Sequence, residues 1–286
     1  MKIAGAPISW GVCEVPGWGK VLDADTVLGQ MASLGLRATE LGPPDYLPAE
    51  PRALKALLDE HGLTLVGGFL AVPLHTGEQS TVDEVDRVAA LLAAAGAEVL
   101  VLAAATGLDG YDERPALTDH EWRTLVDTAA LVRDHAARHG LRTALHPHVG
   151  THVERATEVE RFLADSDLDL CLDTGHLLIG GTDPVDLARR HPERIGHVHL
   201  KDVRADIAAT VRAGDIGYTA AVQQRMYVPL GEGDVDVAAL VASLRDAGYA
   251  GWYVLEQDTA LGDDSPLDTP VRDTAGSLAH LTRITA

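Results

Sequence analysis

Imidazole and carboxylate groups gather at four places in the chain where an apolar run gives way to polar residues. These are Ala144-Leu145-His146-Pro147-His148, Leu172-Asp173-Thr174-Gly175-His176, His197-Val198-His199-Leu200-Lys201-Asp202 and Val254-Leu255-Glu256-Gln257-Asp258. One such residue after a strand is ordinarily a loop residue or a helix cap. Four in succession, contributing His, Asp, His and Glu, are the donor set of a metal ion. Mixed nitrogen and carboxylate donors suit Mn²⁺, Co²⁺, Zn²⁺ or Fe²⁺, with Mg²⁺ as a harder alternative, better than Ca²⁺. Alternate side chains of a strand share a face, so His197, His199 and Lys201 point the same way. His199, nearer the C-terminal end, is the expected ligand and His197 a deeper support. His146 is the expected ligand of its run, and His148, beyond Pro147, is expected to reach substrate.

Such groups converge only if the strands carrying them are neighbours. The chain repeats one pattern: an amphipathic helix, a Gly, then a short apolar run. Val27 to Leu34 precedes Gly35 and Ala38 to Leu41; Arg52 to His61 precedes Gly62 and Leu63 to Leu70; Val82 to Ala95 precedes Gly96 and Glu98 to Ala103. Trp122 to His139 precedes Gly140 and Leu141 to His146, and Val237 to Ala247 precedes Gly248 and Gly251 to Glu256. Gly after a helix supplies the left-handed terminating residue, and near-continuous apolar runs are strands of a buried parallel sheet. With Ile3 to Ser9, Leu168 to Asp173 and Ile195 to Lys201 the strands number eight. That predicts an α/β fold, a single (β/α)₈ barrel over residues 1–286, with functional groups at the C-terminal strand ends. No Gly-x-Gly-x-x-Gly follows the first strand, which speaks against a dinucleotide-binding sheet. Arg204 to Tyr227 breaks the rhythm and is expected to form an inserted helix or lid, around 204–227.

Composition narrows the partners. Lys and Arg total 23 against 43 Asp and Glu, a formal charge of −20 that repels nucleic acid and anionic membranes. Aromatics are 4% of the chain, so Ala, Leu and Val must fill the interior. The two cysteines, Cys13 and Cys171, lack CxxC spacing, and no apolar stretch approaches the ~18 residues of a membrane span. A cytoplasmic enzyme with two unpaired thiols is expected.

The Leu-Asp-Thr-Gly-His and His-x-His-x-Lys-Asp motifs resemble the xylose-isomerase-like barrels of sugar isomerases and epimerases. Within that superfamily the chain is most similar to the myo-inosose-2 dehydratases. The carriers are Ala6-Pro7-Ile8-Ser9-Trp10-Gly11-Val12, Pro16-Gly17-Trp18-Gly19, Thr39-Glu40-Leu41-Gly42, His146-Pro147-His148-Val149-Gly150-Thr151, Val228-Pro229-Leu230-Gly231-Glu232-Gly233 and Gly251-Trp252-Tyr253-Val254-Leu255-Glu256-Gln257-Asp258. The resemblance implies a metal, Mn²⁺ or Co²⁺ first, held by Asp173, His199 and Glu256, with His146 where the superfamily has Glu. Sugar epimerases of this kind use two carboxylates on opposite sides of the substrate. Imidazole in place of one fits elimination better than two-base epimerisation. The implied reaction dehydrates a keto-inositol of the 2-keto-myo-inositol type to a cyclic dione. Glu256 or Glu40 would be the base and His176 or Lys201 the acid, with Trp10, His148, His176 and Lys201 against substrate.

Trp10 and Trp18 read equally as a wall for a sugar ring or as barrel-end packing. His75, Tyr111, Arg225 and Glu14 are further polar residues that spacing does not separate from ordinary loop positions. The alternatives are an isomerase or epimerase of sugars or inososes, a lyase of 3-keto glycosides, a DNA endonuclease (disfavoured by charge) and a non-catalytic sugar-binding barrel. A homodimer or homotetramer is expected.

Overall fold

The computed structural model describes all 286 residues. Eight apolar segments pair in parallel and close on themselves: β1 (Lys2–Gly5), β2 (Ala38–Glu40), β3 (Thr64–Val72), β4 (Val99–Ala104), β5 (Arg142–Leu145), β6 (Asp169–Asp173), β7 (Ile195–Leu200) and β10 (Trp252–Leu255). Closure joins β1 to β10, with Lys2 opposite Trp252 and Gly5 opposite Leu255, so the sheet has no free edge. This is the expected (β/α)₈ barrel.

Helices wrap the outside: α1 (Ala24–Ser33), α2 (Pro51–Glu60), α3 (Gln79–Ala94), α4 (Asp119–Arg138), α5 (Ala156–Asp165), α6 (Thr174–Gly180), α7 (Pro184–Arg190), α10 (Val237–Asp246) and α11 (Thr269–Thr285). In α4 a reciprocal pair sets the start, Thr118 accepting from the Glu121 N–H while Glu121 accepts from the Thr118 N–H. Trp122, Leu125, Ala129, Val132 and Ala136 follow at steps of three, four, three and four, which puts one apolar stripe against the strands. The main core of 64 buried residues lies between strands and helices. Small residues fill the barrel interior, among them Ala4, Ala38, Val66, Val99, Val101 and Ala144.

Two features near the site refine the sequence reading. The first strand stops at Gly5, and Pro7–Trp10 forms a 3₁₀ turn. Pro7 has no N–H to give a ladder and its fixed φ suits the first position of a turn. The segment 204–227 holds two helices, α8 (Ala205–Ala213) and α9 (Tyr218–Gln223), clasped at its base by the antiparallel pair β8 (Asp202–Val203) and β9 (Tyr227–Val228). No helix is long and apolar enough to cross a membrane.

Candidate metal centre and active site

Register brings the donors together. Asp173 on β6 is level with His199 on β7, and His199 with Val254 on β10, so Glu256 stands one inward step beyond. His146 follows the last residue of β5, itself hydrogen-bonded into the ladder through its N–H to Leu102 O. His146, Asp173, His199 and Glu256 present four buried donor atoms, all within 4.8 Å of one another. Asp173 is oriented by its second oxygen: Oδ1 accepts from the N–H groups of Gly175 and His176, at 2.9 and 2.8 Å, and so caps α6. Its Oδ2 is left facing His146 Nε2 at 3.3 Å and His199 Nδ1 at 3.5 Å.

These donors fit a metal better than they fit one another. His199 Nδ1 lies 2.7 Å from Glu256 Oε2, yet it is buried without a properly directed hydrogen bond. Its ring edge points at the space between the carboxylates. Metal–ligand bonds of about 2.1 Å place neighbouring donors roughly 3 Å apart, the spacing seen across this cluster. The far side of the ring fixes the tautomer. Glu40 Oε1 accepts from His197 Nε2 at 2.7 Å and lies 3.2 Å from His199 Nε2. A carboxylate only accepts, so Nε2 of His199 donates to Glu40, and Nδ1 is the nitrogen left to face a metal.

Lys201 supplies the one ammonium among these carboxylates. Its Nζ is 2.6 Å from Asp258 Oδ1, 3.1 Å from Glu256 Oε2 and 3.4 Å from Asp173 Oδ2. Burial opposes the charge most strongly, but the three carboxylates together hold its pKa well above the ordinary lysine value. His176 Nε2, 3.1 Å away, responds in the other direction: burial, then His148 and Lys201, push its pKa well below the usual range. His148, stacked on His176 at 3.8 Å between ring centres, is lowered to about 3 by burial and then by His146 and Lys201. Both imidazoles are therefore neutral at pH 7, and Lys201 is the protonated group beside them. Gly175 makes this approach possible, since a Cβ there would lie 2.9 Å from the Lys201 Cβ and 2.7 Å from the Tyr227 ring.

A cavity of about 280 Å³ opens above the cluster. Glu40, His146, His148, Lys201, Glu256 and Asp258 form its polar end, and Ile8, Val12, Trp18, Phe69 and Tyr111 its apolar wall. Tyr111 enters because the following strand end yields: Gly150 has φ 79°, and a Cβ there would strike the Tyr111 backbone at 2.5 Å. Tyr111 donates its hydroxyl to Glu14 at 3.1 Å.

Several sequence expectations are corrected by these positions. Trp10 does not meet the cavity. The 3₁₀ turn at Pro7 rotates it into the core, where it is fully buried and its indole N–H donates to Gln30 on α1. Trp18 takes the cavity wall instead, its N–H bound to Thr259 O. Glu40 borders the cavity but its Oε1 is committed to two imidazoles, so it supports the cluster. His176 lies behind His148 and Lys201 and is not part of the lining. His75 packs edge-on against His152, and Arg225 pairs with Asp273 on the surface. Asp258 and Tyr218 belong to the site and were not singled out from sequence, although Asp258 follows Glu256 by the same two-residue step that links His197, His199 and Lys201.

A parallel barrel with a buried His/Asp/His/Glu cluster at its C-terminal mouth defines a class, and comparison with known proteins gives the same one. The chain belongs to the xylose isomerase-like TIM barrel family, whose model matches residues 28–283. It is 35% identical to the inosose dehydratase of Geobacillus kaustophilus over 277 residues, covering 91% of this chain and 89% of that protein. Identity to the inosose dehydratase of Erwinia tasmaniensis is 32%, over 90% of each chain. Among solved structures, the probable 3-DHS dehydratase AsbF of Bacillus anthracis superposes with a TM-score of 0.72 over 99% of both chains, at 18% identity, a likeness of fold alone.

Proposed function

We propose that this chain is a metal-dependent carbon–oxygen lyase that dehydrates a keto-inositol, of the 2-keto-myo-inositol type, to a cyclic dione. The carrying observation is that four convergent metal donors lie at the floor of one cavity, which His146 and Glu256 of that set line together with the Lys201 amine. The similarity to inosose dehydratases over nine-tenths of the chain supplies the substrate class.

His146, Asp173, His199 and Glu256 would hold the ion, with Mn²⁺ or Co²⁺ proposed. When bound, that ion supplies Lewis acidity to a carbonyl oxygen and stabilises charge developing there. The chain's own groups perform the proton transfers. Glu256 is the base: Oε2 faces His199 and Lys201, Oε1 has no protein partner, and its side chain is 12% exposed where Asp173 and His199 are sealed. It removes the proton from the carbon beside the ketone, and the released electron pair forms the carbon–carbon double bond. The neighbouring C–O bond breaks, and Lys201 Nζ donates a proton so that the hydroxyl departs as water. The hydroxyl kept on the first carbon makes the product the enol of a 1,2-dione. His148 and Tyr111 flank the ring, and Trp18 excludes water from its apolar face. We further propose a cytoplasmic enzyme of inositol catabolism that assembles as a homodimer or homotetramer, one barrel per chain, with segment 204–227 as the lid.

The test is product mass. Metal-stripped protein incubated with 2-keto-myo-inositol and Mn²⁺ or Co²⁺ should yield a product lighter by one water, with new ultraviolet absorbance. A product of unchanged mass would move the chain to the isomerases and epimerases. Water loss that persists unchanged in chelator would overturn the metal's role.

A further inference from the structure

Outside the metal cluster, one buried polar chain connects the inserted segment to the catalytic ammonium. Tyr218, the first residue of α9, is fully buried, and its hydroxyl donates a short hydrogen bond to Asp258 Oδ2. The other oxygen of that carboxylate, Oδ1, takes Lys201 Nζ at 2.6 Å, the shortest of the lysine's contacts. Tyr227, at the other end of the insertion, bonds the Tyr218 hydroxyl at 2.9 Å and places its ring 5.4 Å from Lys201 Nζ. Glu256 and Asp173 also contact this ammonium, but both belong to the donor set. Asp258 is the only carboxylate of the three free of that duty, so it alone can fix Lys201 while the others serve an ion.

Tyr218 is brought here by contacts along the rest of the insertion. Its backbone N–H donates to Asp112 at 2.7 Å, and Gln223 at the end of α9 donates to the carbonyls of Gly17 and Trp18. Two loops that roof the cavity therefore meet at α9, and Tyr218 carries their position inward.

We propose that Tyr218 and Asp258 are positioning residues that couple seating of the 204–227 segment to placement of the Lys201 ammonium. When the segment is seated, both Asp258 oxygens are engaged, and the carboxylate holds Lys201 over the leaving hydroxyl. When it lifts, Asp258 loses its outer donor and Lys201 its fixed partner. Protonation of the leaving group is then confined to the covered site. Neither Tyr218 nor Asp258 gains or loses a bond in the reaction.

The inference rests on the dehydratase reading, and a mutant cycle separates the two. Tyr218→Phe keeps the ring and removes one hydroxyl; Asp258→Asn keeps the shape and removes the charge. Tyr218→Phe is expected to lower kcat about tenfold with KM changed less than twofold, because ring packing is retained while placement is lost. Asp258→Asn should lower kcat further. The double variant should match Asp258→Asn alone, since the hydroxyl acts only through that carboxylate. Amide hydrogen exchange supplies a readout independent of turnover: residues 218–223 should exchange faster in both single variants, with metal content unchanged. Independent, multiplying losses in the double variant, or a Tyr218→Phe protein with wild-type kcat and exchange, would overturn the relay. Absence of water loss by the wild-type chain would instead overturn the dehydratase reading, and the exchange measurement would still decide whether Asp258 seats the segment.

Discussion

The barrel interior is two regions built on opposite principles. In its apolar layers Ala4, Ala38 and Val66 meet in one cluster and Val99, Val101, Ala144 and Cys171 in another. At the C-terminal mouth His146, Asp173, His199, Lys201, Glu256 and Asp258 are crowded together, and all but Glu256 are less than a tenth exposed. The strands β5, β6 and β10 supply both. Ala144 and His146 are two residues apart on one line, as are Cys171 and Asp173. The apolar layers stabilise by packing that any small hydrophobe satisfies. The mouth buries charges that water would solvate far better, and it stands only because each charge has a partner. Stability and chemistry are thus separated by about two residues along those strands, and substitutions on the two sides should separate them in measurement.

The largest effect is expected at Asp173, the donor carboxylate whose other oxygen caps a helix. Asp173→Asn should lose the bound ion and reduce turnover by about a thousandfold or more, the scale of a Lewis acid's contribution. Metal analysis after dialysis together with steady-state kinetics checks both. Retention of a full equivalent of metal with normal turnover would remove Asp173 from the site. Lys201→Met should lower kcat by about 10²–10⁴-fold, the usual contribution of a general acid, while the four donors still retain metal. If turnover survives, the proton comes from elsewhere.

Glu40→Gln sharpens the boundary between the regions, because Glu40 is the support beneath His199. Metal affinity should fall about 10–100-fold, while kcat at saturating metal changes little. Loss of kcat with affinity intact would restore Glu40 as the base. The smallest effect belongs to the apolar layers: Val101→Ala should lower stability in urea by about 1–2 kcal/mol and leave kcat and KM unchanged. A catalytic defect there would show that the mouth depends on packing below it.

The fold was legible because its signals are local. Five helices are followed by a Gly that turns left-handed, Gly35, Gly62, Gly96, Gly140 and Gly248, and the strands are apolar runs short enough to be buried on both faces. Donor placement was legible for the same reason: period-two alternation ties His197, His199 and Lys201 to one face without any tertiary knowledge. What sequence could not give depends on long-range docking. Tyr218 enters the site only because α9 is anchored by Asp112 and Gln223, more than 100 and 200 residues from their respective partners. Trp10 and Trp18 look alike in sequence, and a 3₁₀ turn begun by Pro7 decides which one faces the cavity. His176 and Lys201 are equal candidates for the acid in sequence, and only the folded surroundings push the pKa of the first down and hold that of the second up.

The most direct test of the central claim is a titration of the metal-stripped protein with Mn²⁺, following bound ion and turnover of 2-keto-myo-inositol together. Turnover should rise from near zero and saturate at one ion per chain, with the Asp173→Asn protein flat in both signals. Full turnover before any ion binds, or saturation that survives loss of the Asp173 carboxylate, would contradict the assignment of this cluster as the catalytic metal centre.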